Sequence, residues 1–368
     1  MDFAFTHEHE ELRQTVRRFM ENESTEATVR KLMETEAGYD ARTWERMAGE
    51  LSLLGLAIPE KFGGAGLGAV ELAIAMEEMG RVLFCGPYLA SVLATDALLR
   101  GADDSAKSSL LPGIASGKCI ATLALSEASG KSSPASVAMR AERAGSGWKL
   151  NGVKDFVLDG HIAGAIVVAA RADDGLGLFL VDGGAKGLER SSHPTLDLTR
   201  KLARLSFSDT PAERISRGDA TDALKSVVAV GAAMLAAEQV GGAQRCLEMS
   251  TEYAKTRLQF GRPIGSFQAI KHKCADMLVE TEFARSAAYN AAFAIASDED
   301  FVEAAHIAKS YCSEAYFHAA AENIQIHGGM GFTWEHPAHL YFKRARASSI
   351  LLGDPSEHRL ELATILEL

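Results

Sequence analysis

Tyr253-Ala-Lys-Thr-Arg-Leu-Gln-Phe-Gly-Arg-Pro-Ile-Gly-Ser-Phe-Gln268 lies between two long helical patterns, and its reading decides the fold. Upstream, no proline occurs between Pro211 and Pro263. The Ala-, Leu-, Glu- and Met-rich span from about Asp222 predicts one long helix ending at Arg257. Downstream, the spacing predicts a second helix from about Ser266 to Ala296, a third from about Asp300 to Ile326, and a fourth after Pro337. Long helices joined by short breaks describe an antiparallel bundle. The quoted stretch is the first break, where Gly261 and Pro263 turn the chain. A helix ending at Arg257 presents a guanidinium, which grips a pyrophosphate through paired charge-assisted hydrogen bonds, and Phe260 can then cover the edge of a flat heterocycle.

Ahead of the bundle the periodicity differs. From Glu8 to about Gly117, Leu12, Val16, Phe19 and Met20, then Leu51, Leu54 and Leu56, recur at helical spacing. Ile58-Pro-Glu-Lys-Phe-Gly-Gly-Ala-Gly-Leu-Gly68 interrupts them. Its glycines could cradle a phosphate, but no strand precedes them and no Lys-Ser/Thr follows, so it reads as a plain turn. From Ile120 to about Ile215 short β-type runs take over: Ala121–Leu125, Trp148–Gly152, Ile166–Val168, Leu178–Val181 and Leu205–Phe207. Asn151-Gly152 suits a tight hairpin turn, because both residues tolerate positive φ. The expected class is α+β: an N-terminal helical domain (1–119), a small antiparallel β domain (120–221) and a C-terminal four-helix bundle (222–368).

Of 368 residues, 38 are Lys or Arg and 49 Asp or Glu, giving a net charge of −11. An acidic chain lacks the basic face that displaces counterions from nucleic acid. Five cysteines (Cys85, Cys119, Cys246, Cys274, Cys312) carry no CxxC pair, which fits neither a disulfide framework nor a zinc site and suits a reducing cytosol. The N-terminus, Met1-Asp-Phe-Ala-Phe-Thr-His-Glu, is acidic where a signal peptide would be basic. The longest alanine-rich run, Val227–Ala237, leads straight into Glu238 and is short for a membrane span. A soluble, cytoplasmic protein is expected, with neither membrane nor nucleic acid as partner.

A second informative segment is Asn323-Ile-Gln-Ile-His-Gly-Gly-Met-Gly-Phe332. Gly328, Gly329 and Gly331 at a helix end let backbone N–H groups approach a ligand with no Cβ in the way. Together the two C-terminal segments closely resemble those of the acyl-CoA dehydrogenase family, flavoproteins that introduce a 2,3-double bond into acyl-CoA thioesters. The Pro59–Gly68 loop and the order helices, sheet, helices fit the same family, so the resemblance spans essentially the whole chain. It implies FAD as cofactor, an acyl-CoA as substrate and an electron-transferring flavoprotein as electron acceptor, with oxygen, as in acyl-CoA oxidases, the open alternative. In that family the two segments are lent across a subunit interface to the neighbour's FAD. The matching residues here are Arg257, Phe260 and Gln268, then Gln325, Gly328 and Gly329.

The resemblance fails where the chemistry is done. The family grips its flavin ring with Thr/Ser-Glu-Pro-Gly-x-Gly-Ser-Asp and Trp-Ile-Thr/Ser. Ser126-Glu-Ala-Ser-Gly-Lys-Ser-Ser133 keeps only the opening Ser-Glu of the first, and Phe156-Val-Leu158 answers the second. Leu158 cannot donate the hydrogen bond of a hydroxyl. The family's usual base, a Glu before Gly-Thr, corresponds to Leu352. The rarer base, a Glu on the long helix before an Arg, corresponds to Gly231, with Ala232 at the Arg. Neither removes a proton. Three acids stand nearby in sequence: Asp354, Glu238 and Glu335. Their ordinary readings are a turn Asp, a paired helix Glu and a helix-start Glu. His336 and His339 beside Glu335 read as a helix-start cluster, and no metal is expected.

Some members of the family, notably those acting on steroid side-chain CoA thioesters, are α2β2 heterotetramers in which one subunit supplies base and pocket and the other completes the flavin site. The chain resembles the second kind: an oxidoreductase subunit without a catalytic residue of its own, completed by a catalytic acyl-CoA dehydrogenase partner. Two other readings stay open. One is a self-sufficient homotetramer with Asp354 or Glu238 as base, and the other a non-catalytic structural protein on this fold.

Overall fold

The computed structural model describes residues 5–297 and 300–368; of the N-terminal stretch read above for its charge, residues 1–4 lie outside the described residues. The chain forms two compact units. One gathers the described residues up to Lys31, Ala69–Phe84 and those from Ala232 to Leu368; the other holds Leu32–Gly68 and Cys85–Gly231.

The first unit is helical. α1 (His7–Glu23) starts at Thr6, whose Oγ1 accepts from His9 N while His9 Nδ1 accepts from Thr6 N. It buries Val16, Phe19 and Met20, as the sequence spacing requires. α2 (Glu26–Met33) and α4 (Ala69–Arg81) follow, with α3 (Ala41–Gly49) between them in sequence. Glu77 of α4 is buried yet fully engaged, accepting from Arg13 Nη1 at 2.7 Å, from Tyr289 Oη at 2.6 Å and from Arg285. A buried carboxylate is tolerable only with such partners. They tie α1 and α4 to α8 (Gln268–Ala296).

α7 (Thr221–Thr256) supplies the long helix expected before Arg257. Its most apolar window is long and hydrophobic enough to cross a membrane by composition, but 78% of that window is buried in the molecule, as in a core helix. Gly241 and Gly242 have a packing cause. A Cβ at 241 would overlap the Glu77 carbonyl, and one at 242 would overlap the ring of Tyr316. Gly80 repays the approach from the other side, its missing Cβ making room for the Glu238 carbonyl. α9 (Phe301–His327) and α10 (Ala338–Ile350) complete the four helices expected, and a fifth, α11 (Pro355–Ile365), adds to them.

The second unit is built on a sheet, with α3, α5 (Tyr88–Gly101) and α6 (Asp104–Ala115) in the same unit. The strands are β1 (Ala121–Ala124), β2 (Arg140–Ala144), β3 (Gly147–Leu158), β4 (Ala165–Ala172), β5 (Gly175–Asp182), β6 (Leu188–Ser192) and β7 (Leu202–Arg214). Pairings run β4–β2–β3–β7–β5 and return from β5 to β4, so these strands close on themselves and leave β1 and β6 attached outside the ring. All pairings are antiparallel except β1 with β4 and a single contact of β2 with β4. Trp148, Leu150, Val157, Ile166, Val168, Phe179, Leu205 and Phe207 fill the interior.

Two local expectations are corrected. Asn151-Gly152 is not a hairpin turn: both lie within β3, where the register with β7 shifts and Gly152 takes φ 132°. The same tolerance of unusual φ that suits a turn suits a bulge, and Asn151 Oδ1 accepts from Asp209 N across it at 2.7 Å. The turn itself falls between Ala144 and Gly147, with Gly145 at φ 64°. Leu54 lies in a 3-10 turn (Leu53–Gly55), with Leu56 directly after it, and not in an amphipathic α-helix; both are still buried. Ile58–Gly68 is a turn-rich loop, as expected.

Candidate functional site

In the helical unit α7 ends where Arg257 N donates to Tyr253 O, and Ile264 N returns to Arg257 O. Between them β8 (Leu258–Gln259) pairs with β9 (Arg262–Pro263), closing a two-residue loop of Phe260 (φ 53°) and Gly261 (φ 75°). Such loops favour Asn-Gly, since both residues need positive φ. Phe260 pays that strain with its ring 90% exposed. Arg257 is exposed, and its guanidinium has no partner among the described residues. Gln268 opens α8 in exposed backbone, and no side chain caps that helix.

The second segment is brought beside the first. Ser250 Oγ donates to Asn323 Oδ1 at 3.0 Å, and Tyr253 stacks on His327 with ring centroids 4.3 Å apart. His327 Nδ1 is 2.8 Å from Asn323 O, and burial holds its pKa below the ordinary range. α9 stops at Gly328, whose φ 61° and ψ −142° belong to a region almost reserved for glycine. Gly329 has no such cause. A Cβ there would meet nothing within 4 Å, so nothing inside this chain demands glycine at that position. Gln325 is exposed one turn earlier. Arg257, Phe260, Gln325, Gly328 and Gly329 therefore share the end of the α7–α9 pair, an open cationic, aromatic and amide-bearing surface suited to a pyrophosphate and a flat heterocycle.

The loop after α10 is closed instead. Leu352 is only 9% exposed and has φ 61°. Its carbonyl lies 3.1 Å from His358 Nε2. A carbonyl only accepts, so His358 carries its proton on Nε2 and its Nδ1 accepts from His306 Nδ1 at 2.7 Å. Burial, then the nearby Lys309 charge, holds the His358 pKa down to about 3. From α9 the buried Lys309 ammonium donates to Gly353 O (3.0 Å), Ser349 O (3.3 Å) and Ser313 Oγ (3.1 Å). The loop is thus pinned at the carbonyls of Leu352 and Gly353, and at Ser349 in the last turn of α10, around an aliphatic side chain that takes no proton.

Of the three acids near in sequence, Asp354 and Glu238 are engaged elsewhere. Asp354 caps α11, accepting from Ser356 N at 2.8 Å and Glu357 N at 2.9 Å, and the Glu357 amide holds its pKa below the usual carboxylate range. Glu238 is buried and accepts from Arg344 Nη1 at 2.9 Å. Glu335 is exposed; its neighbours His336 and His339 make local contacts, with His336 Nδ1 accepting from Ala338 N and His339 stacked on Trp334. Gly231 is buried within α7.

In the sheet unit, the segments Ser126–Ser133 and Phe156–Leu158 are internally satisfied. Glu127 accepts from Lys154 Nζ at 2.8 Å and from the amides of Ala138 and Met139. Burial lowers the Lys154 pKa to about 8 despite this partner. Phe156 takes φ 56° and stacks on His193, centroids 5.2 Å apart and 19° between planes. Leu158 is buried, and its carbonyl accepts from Thr122 Oγ1 at 2.6 Å. Sequence reasoning missed Lys309, His306, His358 and His193. Only Lys309 carried a partial signal, lying between Ala305, Ala308 and Cys312 on the buried stripe of α9.

Family models for the acyl-CoA dehydrogenase N-terminal, middle and C-terminal domains match residues 6–118, 122–210 and 221–366. Acyl-CoA dehydrogenase IpdE2 of Mycobacterium tuberculosis is 37% identical over 358 residues, covering 96% of each chain. Among solved structures, a steroid ACAD, the Tcur3481-Tcur3483 G363A variant, superposes with TM-score 0.89 at 32% identity over 98% of each chain. The ChsE4-ChsE5 complex from Mycobacterium tuberculosis gives TM-score 0.91 at 29% identity, over 100% of this chain and 99% of that one. The models span nearly the whole sequence, and the chain belongs to the acyl-CoA dehydrogenase family.

Proposed function

We propose that this chain is the base-less subunit of an α2β2 acyl-CoA dehydrogenase acting on a steroid-type CoA thioester. FAD is the family's cofactor and, when bound, supplies the acceptor for the β-hydrogen. The residues of the α7–α9 end fit it: a guanidinium without a partner among the described residues, an exposed ring on a strained loop and a glycine that packing leaves unexplained. In this reading Arg257 neutralises the pyrophosphate, Phe260 covers a ring edge, Gln268 and Gln325 offer amides, and Gly328 and Gly329 bring backbone N–H groups close, all toward the FAD of the partner subunit. The catalytic partner supplies the base and the substrate pocket.

The observation that carries the reading is a contrast within one unit. The cofactor-facing surface stays open at a cost in backbone strain, while the loop bearing Leu352 is pinned shut around leucine. The heteromeric steroid-type structures among its relatives support the partner and the substrate class. Transfer of electrons to an electron-transferring flavoprotein, a cytoplasmic location and the segments 1–119, 120–221 and 222–368 as domains belong to the same proposal. Arg257→Ala in the assembled complex tests it: flavin should be lost while the subunits still co-purify. Full retention of flavin would refute the assigned role.

A further inference from the structure

The sheet unit does not fit the cofactor that the helical unit fits. We infer that its ring-facing segment is closed by its own side chains, with the His193–Phe156 stack as the plug and the Asp155 carboxylate as its fastening.

Asp155 is buried, and each of its oxygens is engaged. Oδ1 lies 2.5 Å from His193 Nε2 and accepts from Phe156 N at 3.1 Å; Oδ2 accepts from Arg204 Nη2 at 2.6 Å. Hydrogen bonds to an ionised carboxylate are the strong ones, so His193 is held in one orientation. In that orientation its ring covers one face of Phe156, the residue that answers the family's ring-contacting tryptophan. Phe156 reaches this position only by adopting φ 56°, a conformation costly for a residue with a Cβ, and the Asp155 contact to its own N–H helps hold it there.

The neighbouring donors are spent as well. Lys154 Nζ is taken by Glu127 and Leu125 O, the amides of Ala138 and Met139 by Glu127, and Thr122 Oγ1 by Leu158 O. Ser126 Oγ lies 3.2 Å from Ser132 Oγ. A flavin ring is rimmed with acceptors, and buried acceptors left without donors are costly. To enter at this stack it would have to displace His193 from Asp155, and the side-chain and amide donors named here are already taken. The plug therefore makes flavin occupancy one per two chains in the assembly; this stoichiometry rests on the heteromeric reading above, while the closure itself rests on the sheet unit alone.

The test counts FAD released from the purified complex after saturation with free FAD. The wild-type complex should hold about one FAD for every two chains. The triple variant His193→Ala, Phe156→Trp, Leu158→Thr, which leaves the Asp155–Arg204 pair intact, should exceed that ratio, and His193→Ala alone should show a weaker second uptake. The closure is overturned if the wild type holds one FAD per chain, or if both variants co-elute with the partner yet stay at the wild-type ratio. Retention of flavin by Arg257→Ala would refute the lending role and leave the closure standing, so the two failures are distinguishable.

Discussion

Phe260→Asn should separate stability from cofactor retention. Phe260 holds φ 53° in a two-residue loop whose other member, Gly261, is also at positive φ. A left-handed conformation costs an ordinary L-residue about 1–2 kcal/mol, and asparagine much less. Against this gain stands little lost packing, because the ring is 90% exposed and its one aromatic neighbour among the described residues, Phe267, sits edge-on at 6.1 Å. Such an exposed edge contact is worth about 0.5 kcal/mol. The net expectation is a stabilisation of about 1 kcal/mol. With about 2.1 cal/mol/K of unfolding entropy per residue over 368 residues, that is a rise in Tm of about 1 °C if the chain unfolds as one. The same substitution removes the ring proposed to cover the partner's flavin, so flavin affinity of the complex should fall about tenfold or more. Calorimetry of the flavin-free chain and flavin-release dialysis of the complex measure the two effects. A lowered Tm, or unchanged flavin release, would refute the argument that Phe260 is kept for a ligand at the expense of the fold.

His358 makes the fold acid-sensitive. Its folded pKa, about 3, lies below the unfolded value of 6.5, so the unfolded chain binds the extra proton between those values. Stability is complete above pH 6.5 and declines as pH falls. At pH 5 the loss should be about 2 kcal/mol, and urea unfolding of His358→Gln should lack that increment. Lys309→Met strands the carbonyls of Ser349 and Gly353 and should cost about 3 kcal/mol in the same assay, with loss near zero contradicting the clamp. Gly241→Ala drives a methyl into the Glu77 carbonyl and should cost about 3 kcal/mol; a neutral result would mean that α4 and α7 separate readily.

The sequence made the helical elements legible because their signals are local. The long proline-free span became α7, and the Gly-Pro break became the β8–β9 turn. α11 was legible too. Asp354-Pro-Ser-Glu357 carries the capping box and the N-terminal proline of a helix start. β2 and β6 read as Arg-Ala-Glu-Arg-Ala and Leu-Glu-Arg-Ser-Ser, too polar to show the alternation of a half-buried strand. The Lys309 bonds to Ser349 and Gly353, the His306–His358 pair and the Asp155–His193 plug join residues 38 or more apart in sequence, and the first of them place a lysine where burial is unexpected. No spacing rule reaches such pairs, because they exist only once the fold has formed.

The lending surface and the pinned leucine loop together make one claim: the chain completes another subunit's flavin site and catalyses nothing alone. Native mass together with FAD per chain tests it directly, for the chain by itself and co-expressed with its dehydrogenase partner. The account predicts a mixed assembly of two copies of each chain carrying two flavins, and a lone chain that neither retains FAD nor oxidises an acyl-CoA. A homotetramer of this chain carrying four flavins would contradict it.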